Sequence, residues 1–216
     1  MSFMQKTIKQ NIPIWDMCAK TPFVREVQSG ELPFEKFKQY MIQDSIYLKN
    51  YARIYGKAIY HSTSLKDIQV YYSILNFVTD TESAVRLNYL KQFGMTDDDI
   101  EFIDPLPENQ EYIDFMLDVA EQGNICEILM AALPCILSYS YIFRKIAAAP
   151  ESRQSRYWDF IQDYADDRYI KDYKVWCEFA DTKCNHLPEK TQKRLSEIFE
   201  KASKLELDFW NMAYRR

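Results

Sequence analysis

Four glycines and eight prolines are all the turn-forming punctuation available to this chain of 216 residues. That is about 6 per cent of the sequence, against the ~12 per cent usual in soluble proteins. So few points of reversal force most of the chain into long elements, which disfavours sandwiches, barrels and glycine-rich phosphate loops. A mass of 25.8 kDa lies below the size at which single cores stop growing, roughly 250–300 residues. The expectation is an all-α protein, one globular domain over 1–216, built as a bundle of about eight helices.

Apolar periodicity between the breaks predicts helices over 3–18, 22–29, 33–61, 64–94, 109–122, 124–149, 152–181 with a break near Asp166 and Asp167, and 188–214. Gly30 can end the second by adopting a positive φ. Pro33 suits a first turn, where its missing N–H is not needed. Ser64 and Asn124 are cap residues. Thr96 with Asp97, Asp98 and Asp99 opens a short turn, and Pro105 and Pro107 make an extended connector.

Composition excludes several functions. Twenty-seven basic against 32 acidic residues leave a net charge of −5, so no electrostatic footprint for nucleic acid or an anionic membrane surface is expected. No apolar run of transmembrane length stands out, and the first fifteen residues lack the apolar centre of a secretory signal. Five cysteines without C-x-x-C spacing read as reduced thiols of a cytoplasmic protein. With His61 and His186 the sole histidines, a multi-imidazole zinc site, a paired Glu-x-x-His di-iron site and a Ser-His-Asp triad are disfavoured, and no metal or cofactor is expected.

Polar groups interrupt the apolar stripes. Steps of three and four place Phe34, Phe37, Met41, Asp44, Leu48, Tyr51 and Tyr55 on one helical face. The same counting gives Tyr71, Leu75, Val78, Glu82, Val85 and Tyr89. It gives Ile125, Ile128, Ala132, Cys135, Tyr139, Ile142 and Ile146 on a third helix, and Leu195, Phe199, Ala202, Glu206, Phe209 and Ala213 on the last. A carboxylate removed from water costs several kcal/mol, so Asp44, Glu82 and Glu206 require either basic partners or a lined cavity.

Cys135 follows Pro134, which cannot donate to the carbonyl of Met130 and should bend the helix there. A thiol on an apolar stripe is commonly a small core residue; beside a bend and carboxyl groups it also fits a nucleophile whose proton passes to a neighbour such as Glu206. Tyr47, Tyr139 and Phe209 sit one turn from Asp44, Cys135 and Glu206 respectively, so aromatic faces can flank each group. Residue chemistry thus reaches a pocket with a thiol, carboxyls and stacked rings, and names no substrate.

Four stretches carry a likeness: 21–37 (TPFVREVQSGELPFEKF), 40–53 (YMIQDSIYLKNYAR), 131–135 (AALPC) and 206–214 (ELDFWNMAY). In these the chain resembles the TenA or thiaminase II family of aminopyrimidine aminohydrolases, whose fold is similar to that of haem oxygenase. The resemblance implies hydrolysis of 4-amino-5-aminomethyl-2-methylpyrimidine to the hydroxymethylpyrimidine, with thiamin cleavage as a slower related activity, no cofactor, and a homotetramer. It implies Cys135 as nucleophile and Glu206 as acid and base. Asp44 would hold the amino edge, and Tyr47, Tyr112, Tyr164 and Phe209 would contact the ring. Leu137 and Tyr141 replace an aromatic residue and a glutamate common in the family, and Asn88 replaces a histidine. These departures bear on the leaving-group side and leave room for a non-hydrolytic pyrimidine-binding protein as the alternative.

Overall fold

The computed structural model describes residues 1–77, 79 and 82–215, with the side chains of 82–84, 168–170 and 172 outside the description. Among the described residues the regular elements are helices: α1 Phe3–Cys18, α2 Pro22–Ser29, α3 Phe34–His61, α4 Leu65–Asn76, α5 Glu82–Gln92, α6 Asp97–Ile100, α7 Pro107–Gln122, α8 Ile125–Ala147, α9 Trp158–Ala165, α10 Asp167–Cys184 and α11 Glu189–Arg215, with a 3-10 turn at Pro150–Gln154.

Helix starts follow local chemistry. Ser64 accepts the N–H of Asp67, while Asn124 and Thr96 each form a reciprocal capping box, with Glu127 and Asp99 respectively. Pro22 and Pro107 occupy first-turn positions. Gly30 ends α2 at φ 81°, a conformation that L side chains rarely adopt. The count exceeds eight because 152–181 divides at Asp166 into α9 and α10, because Thr96 opens a short helix of its own, and because 64–94 is described as α4 and α5, which meet at a stretch that includes Val78, Asp80 and Thr81, outside the described residues.

Helices α8 and α11 pack most extensively against each other, and α1, α3, α7, α9 and α10 surround them. This follows from the α8 sequence, apolar on nearly every side. By length and composition α8 is apolar enough to cross a membrane, yet 83% of its most apolar stretch is buried inside the fold, as a core helix requires. The helix continues through Pro134 without a break in its span. Every residue of the α11 stripe, from Leu195 to Ala213, is buried, as is the α3 stripe apart from the exposed Phe34.

Polar ties fix how the elements dock. Gln43 of α3 accepts from the N–H of Leu106 at 2.8 Å, and Asn109 donates to its backbone and side-chain oxygens at 2.8 and 2.9 Å. The first turn of α7 is thereby clamped to α3 one residue before Asp44, and Tyr112 is delivered one turn further on. Trp15 of α1 donates to Ser203 of α11 at 3.2 Å.

Candidate active site

The inward faces of α3, α7, α8 and α11 converge on a narrow hollow, too tight as it stands to admit a water molecule, lined by Asp44, Tyr47, Tyr112, Cys135, Tyr139, Glu206 and Phe209. All seven are at least 94% buried. Helix α3 supplies Asp44 and Tyr47 three residues apart, α8 supplies Cys135 and Tyr139 four apart, and α11 supplies Glu206 and Phe209 three apart. Each pair shares one face of its helix, which is why four helices suffice to enclose the space.

Glu206 is the hub. Tyr112 donates to its Oε1 at 2.8 Å, and the Cys135 thiol also donates to its carboxyl group. Burial pushes the Glu206 carboxyl up from 4.5 to about 8; the Tyr112 bond opposes this, the negative charge of Asp44 adds to it, and the Cys135 bond opposes it. No ion pair to Glu206 occurs among the described residues. Burial likewise raises Asp44 from 3.8 to about 7, with the positive charge of Arg86 pulling it down. Arg86 is itself bonded to Ser45 at 2.9 Å and Asp97 at 2.7 Å, so it acts on Asp44 through space. Two buried carboxyl groups that titrate near neutrality can exchange protons with a ligand at physiological pH, one giving and one holding a proton.

Phenols make the remaining wall. Burial pushes Tyr47, Tyr112 and Tyr139 well above 10, so all three keep their protons. Tyr139 shares a hydrogen bond of 3.0 Å with Tyr40, whose ring stacks on Trp210 at 5.5 Å and 7°. Tyr47 lies 4.9 Å from Tyr112 and 6.0 Å from Phe209 between ring centroids. The buried Tyr47 hydroxyl closes no hydrogen bond of normal geometry and only approaches the Tyr112 phenol loosely. A buried polar atom left in this state is unfavourable, and a flat heteroaromatic ligand with nitrogen acceptors would satisfy it. Acids for the amino edge of such a ring, rings for its faces and a thiol beside an acid for its carbon atoms therefore occur in one place.

Of the residues singled out in sequence, seven thus meet. Tyr164 packs behind the wall, 5.0 Å from Tyr139 and 5.1 Å from Phe143. The Glu82 side chain lies outside the described residues. Arg86 and Tyr40 escaped the sequence reading; the signal for Arg86 was an arginine one turn beyond Glu82 on a helix with a half-buried face. Leu137 and Tyr141, expected to bear on the leaving-group side, instead face a groove shared with Ile8, Trp15 and Tyr173. They point there because steps of two and six residues rotate about 200° and 240° away from Cys135. Asn88 is exposed. Among the described residues no three His, Cys, Asp or Glu side chains gather closely enough to hold a metal ion.

Comparison with known proteins gives a consistent picture. A family model described as the TENA/THI-4/PQQC family matches residues 8–216. An aminopyrimidine aminohydrolase of Halalkalibacterium halodurans is 31% identical over 99% of this chain and 96% of its own length. A TenA homologue from P. horikoshii OT3 superposes with a TM-score of 0.86 at 28% identity, over 100% of this chain and 99% of that one. A domain of Shewanella denitrificans with a heme oxygenase-like fold gives a TM-score of 0.62 at 16% identity, over 98% of this chain and 91% of that one, a likeness of fold alone.

Proposed function

This chain belongs to the TENA/THI-4/PQQC family, and on that premise we propose that it hydrolyses 4-amino-5-aminomethyl-2-methylpyrimidine to 4-amino-5-hydroxymethyl-2-methylpyrimidine and ammonia in thiamin salvage. The observation that carries the reading is the convergence of Cys135, Glu206 and Asp44 with four aromatic rings around one narrow hollow. The relative from Halalkalibacterium halodurans, an aminopyrimidine aminohydrolase matched over 96% of its length, supports the substrate class.

In this mechanism Asp44 accepts the amino edge of the pyrimidine, and Tyr47 and Phe209 hold its faces. The Cys135 proton passes to the Glu206 carboxylate and on to the ring nitrogen as sulfur bonds to the ring carbon beside that nitrogen. Aromaticity is lost, and electrons from the ring expel the exocyclic nitrogen, which enters as the ammonium ion and leaves as ammonia. Water adds to the resulting exocyclic carbon, with Glu206 receiving its proton. The sulfur–carbon bond then breaks, the ring nitrogen's proton returns to the sulfur, the proton on Glu206 leaves with ammonia as ammonium, and the ring regains its aromaticity. A Glu206 group that titrates near 8 suits repeated proton exchange at physiological pH, since general acid–base catalysis is most efficient when pKa and pH are close. Tyr112 keeps its carboxyl oriented. Tyr139 donates towards the ring, and Tyr164 supports it from behind.

Thiamin cleavage, with the thiazole as leaving group in place of ammonia, is the slower second activity of the same site. The exposed Tyr60, Leu65 and Phe102 provide apolar surface for the homotetramer that the reading includes, working in the cytoplasm. Leu137 and Tyr141, which in sequence left room for a non-hydrolytic binder, touch no part of the hollow, so the catalytic reading is preferred. The test is incubation with the aminomethylpyrimidine and with thiamin, following ammonia, thiazole and hydroxymethylpyrimidine. Release of ammonia and hydroxymethylpyrimidine at the faster rate is expected; tight binding of the pyrimidine with no product would overturn the proposal in favour of a binding protein.

A further inference from the structure

Away from the hollow, a groove of about 540 Å³ opens between α1, α8 and α10, within the ~300–1,000 Å³ usual for small-molecule sites. Leu137, Ser140, Tyr141 and Arg144 line it from one face of α8, because they follow one another by steps of three, one and three residues. Trp15 stands opposite on α1 and Tyr173 on α10. Trp15, Leu137 and Ser140 are buried and make the floor, Tyr141 and Tyr173 are half-buried walls, and Arg144 is exposed at the rim. The Trp15 ring is fixed by its bond to Ser203 and lies 5.8 Å from that of Tyr141.

Two polar groups give this largely apolar groove a direction. Ser140 is 1% exposed, and its hydroxyl has no hydrogen-bond partner. Ser138 on the same helix donates to the Cys135 carbonyl at 3.2 Å, the ordinary resort of a helical serine. Ser140 does not take that route. A buried hydroxyl left unpaired is unfavourable, and one that lines a groove can be satisfied by a polar atom of a ligand. The second group is Arg144. Its neighbour Lys145 is bound by Asp16 at 2.5 Å, and Asp16 also accepts from Tyr141 at 2.8 Å. Arg144 meets the almost wholly exposed Asp167 at 3.3 Å through one nitrogen. Such a pair is worth little in water, and it leaves most of the planar guanidinium fork free to take a carboxylate. Ser140 and Arg144 are four residues apart, about 6 Å along the helix axis.

We propose that this groove binds an aromatic carboxylate of one or two rings with a hydroxyl at the end opposite its carboxylate. The ring lies against Trp15, Leu137 and Tyr141, the carboxylate exchanges with Asp167 on Arg144, and the ring hydroxyl pairs with Ser140. Calorimetric titration of the full-length protein with 6-hydroxy-2-naphthoate is the test. One site is expected, with an affinity unchanged by saturating 4-amino-5-hydroxymethyl-2-methylpyrimidine. Arg144→Gln should weaken binding by about 10–100-fold and Ser140→Ala by about 5-fold. In the wild type, 2-naphthol, which lacks the carboxylate, should bind about 10–100-fold more weakly than the hydroxynaphthoate. Should either variant fail to fold, the naphthol comparison decides alone. Absence of binding, displacement by the pyrimidine, equal affinity for 2-naphthol, or wild-type affinity in both variants would overturn the proposal. Binding that emerges only on dilution into separate chains would overturn it too, and would assign the groove to a second copy of this chain.

Discussion

Replacing Glu206 with Gln should stabilise the protein at alkaline pH while removing its activity. The Glu206 carboxyl ionises at about 8 in the fold against 4.5 when exposed. Below the lower value both folded and unfolded chains hold the proton, and its contribution to stability is fully present. As pH rises from 4.5 towards 8 the unfolded chain releases the proton while the fold retains it, so stability falls by about 1.4 kcal/mol per pH unit. The whole window amounts to a loss on the order of 5 kcal/mol. Asp44 adds a parallel loss over a window from 3.8 to about 7, and it titrates in both proteins. A glutamine matches the shape of the protonated acid and can still accept from Tyr112, so the two proteins should differ by no more than ~1 kcal/mol near pH 5. At pH 8 the variant should be the more stable by roughly 3–5 kcal/mol. Urea unfolding at pH 5, 6, 7 and 8 measures the difference directly. A difference that stays flat across that range would refute the assignment of a buried, proton-holding carboxyl to position 206. Turnover of the variant should fall by about 10²–10⁴, the usual worth of a general acid–base group.

Three further outcomes follow from the same geometry. Tyr112→Phe removes a hydrogen bond that holds the Glu206 pKa down, so the corresponding limb of the kcat/KM profile should move to higher pH; an unmoved profile contradicts the pairing. Asp44→Asn should weaken pyrimidine binding by about 1–3 kcal/mol, the cost of mispairing a buried polar group, measured calorimetrically; unchanged affinity removes Asp44 from the ring's amino edge. Arg86→Gln takes away the positive charge that pulls Asp44 down, and should raise the Asp44 pKa as read by carboxyl NMR, where no shift would mean that Arg86 serves Ser45 and Asp97 alone.

Much of the fold was legible because its signals are local. α1 and α2 fall where periodicity and Gly30 put them, and Asn124 and Ser64 cap as their side-chain chemistry requires. The meeting of Asp44, Cys135 and Glu206 was legible because each interrupts an otherwise buried stripe, and a buried polar residue has to be accounted for. Arg86 was not, because its influence on Asp44 crosses from α5 to α3, and no spacing within one helix encodes that contact. Leu137 and Tyr141 show the converse: closeness in sequence to Cys135 suggested a role, and the 3.6-residue period turned both away from the site.

The most direct test is a crystal structure of the Cys135→Ser protein with 4-amino-5-aminomethyl-2-methylpyrimidine bound. The account predicts the ring between Tyr47 and Phe209, its amino edge on Asp44, Glu206 beside the exocyclic amine, and the position-135 oxygen facing the ring carbon next to nitrogen. A pyrimidine bound elsewhere, with the Asp44–Cys135–Glu206 hollow closed and empty, would contradict it.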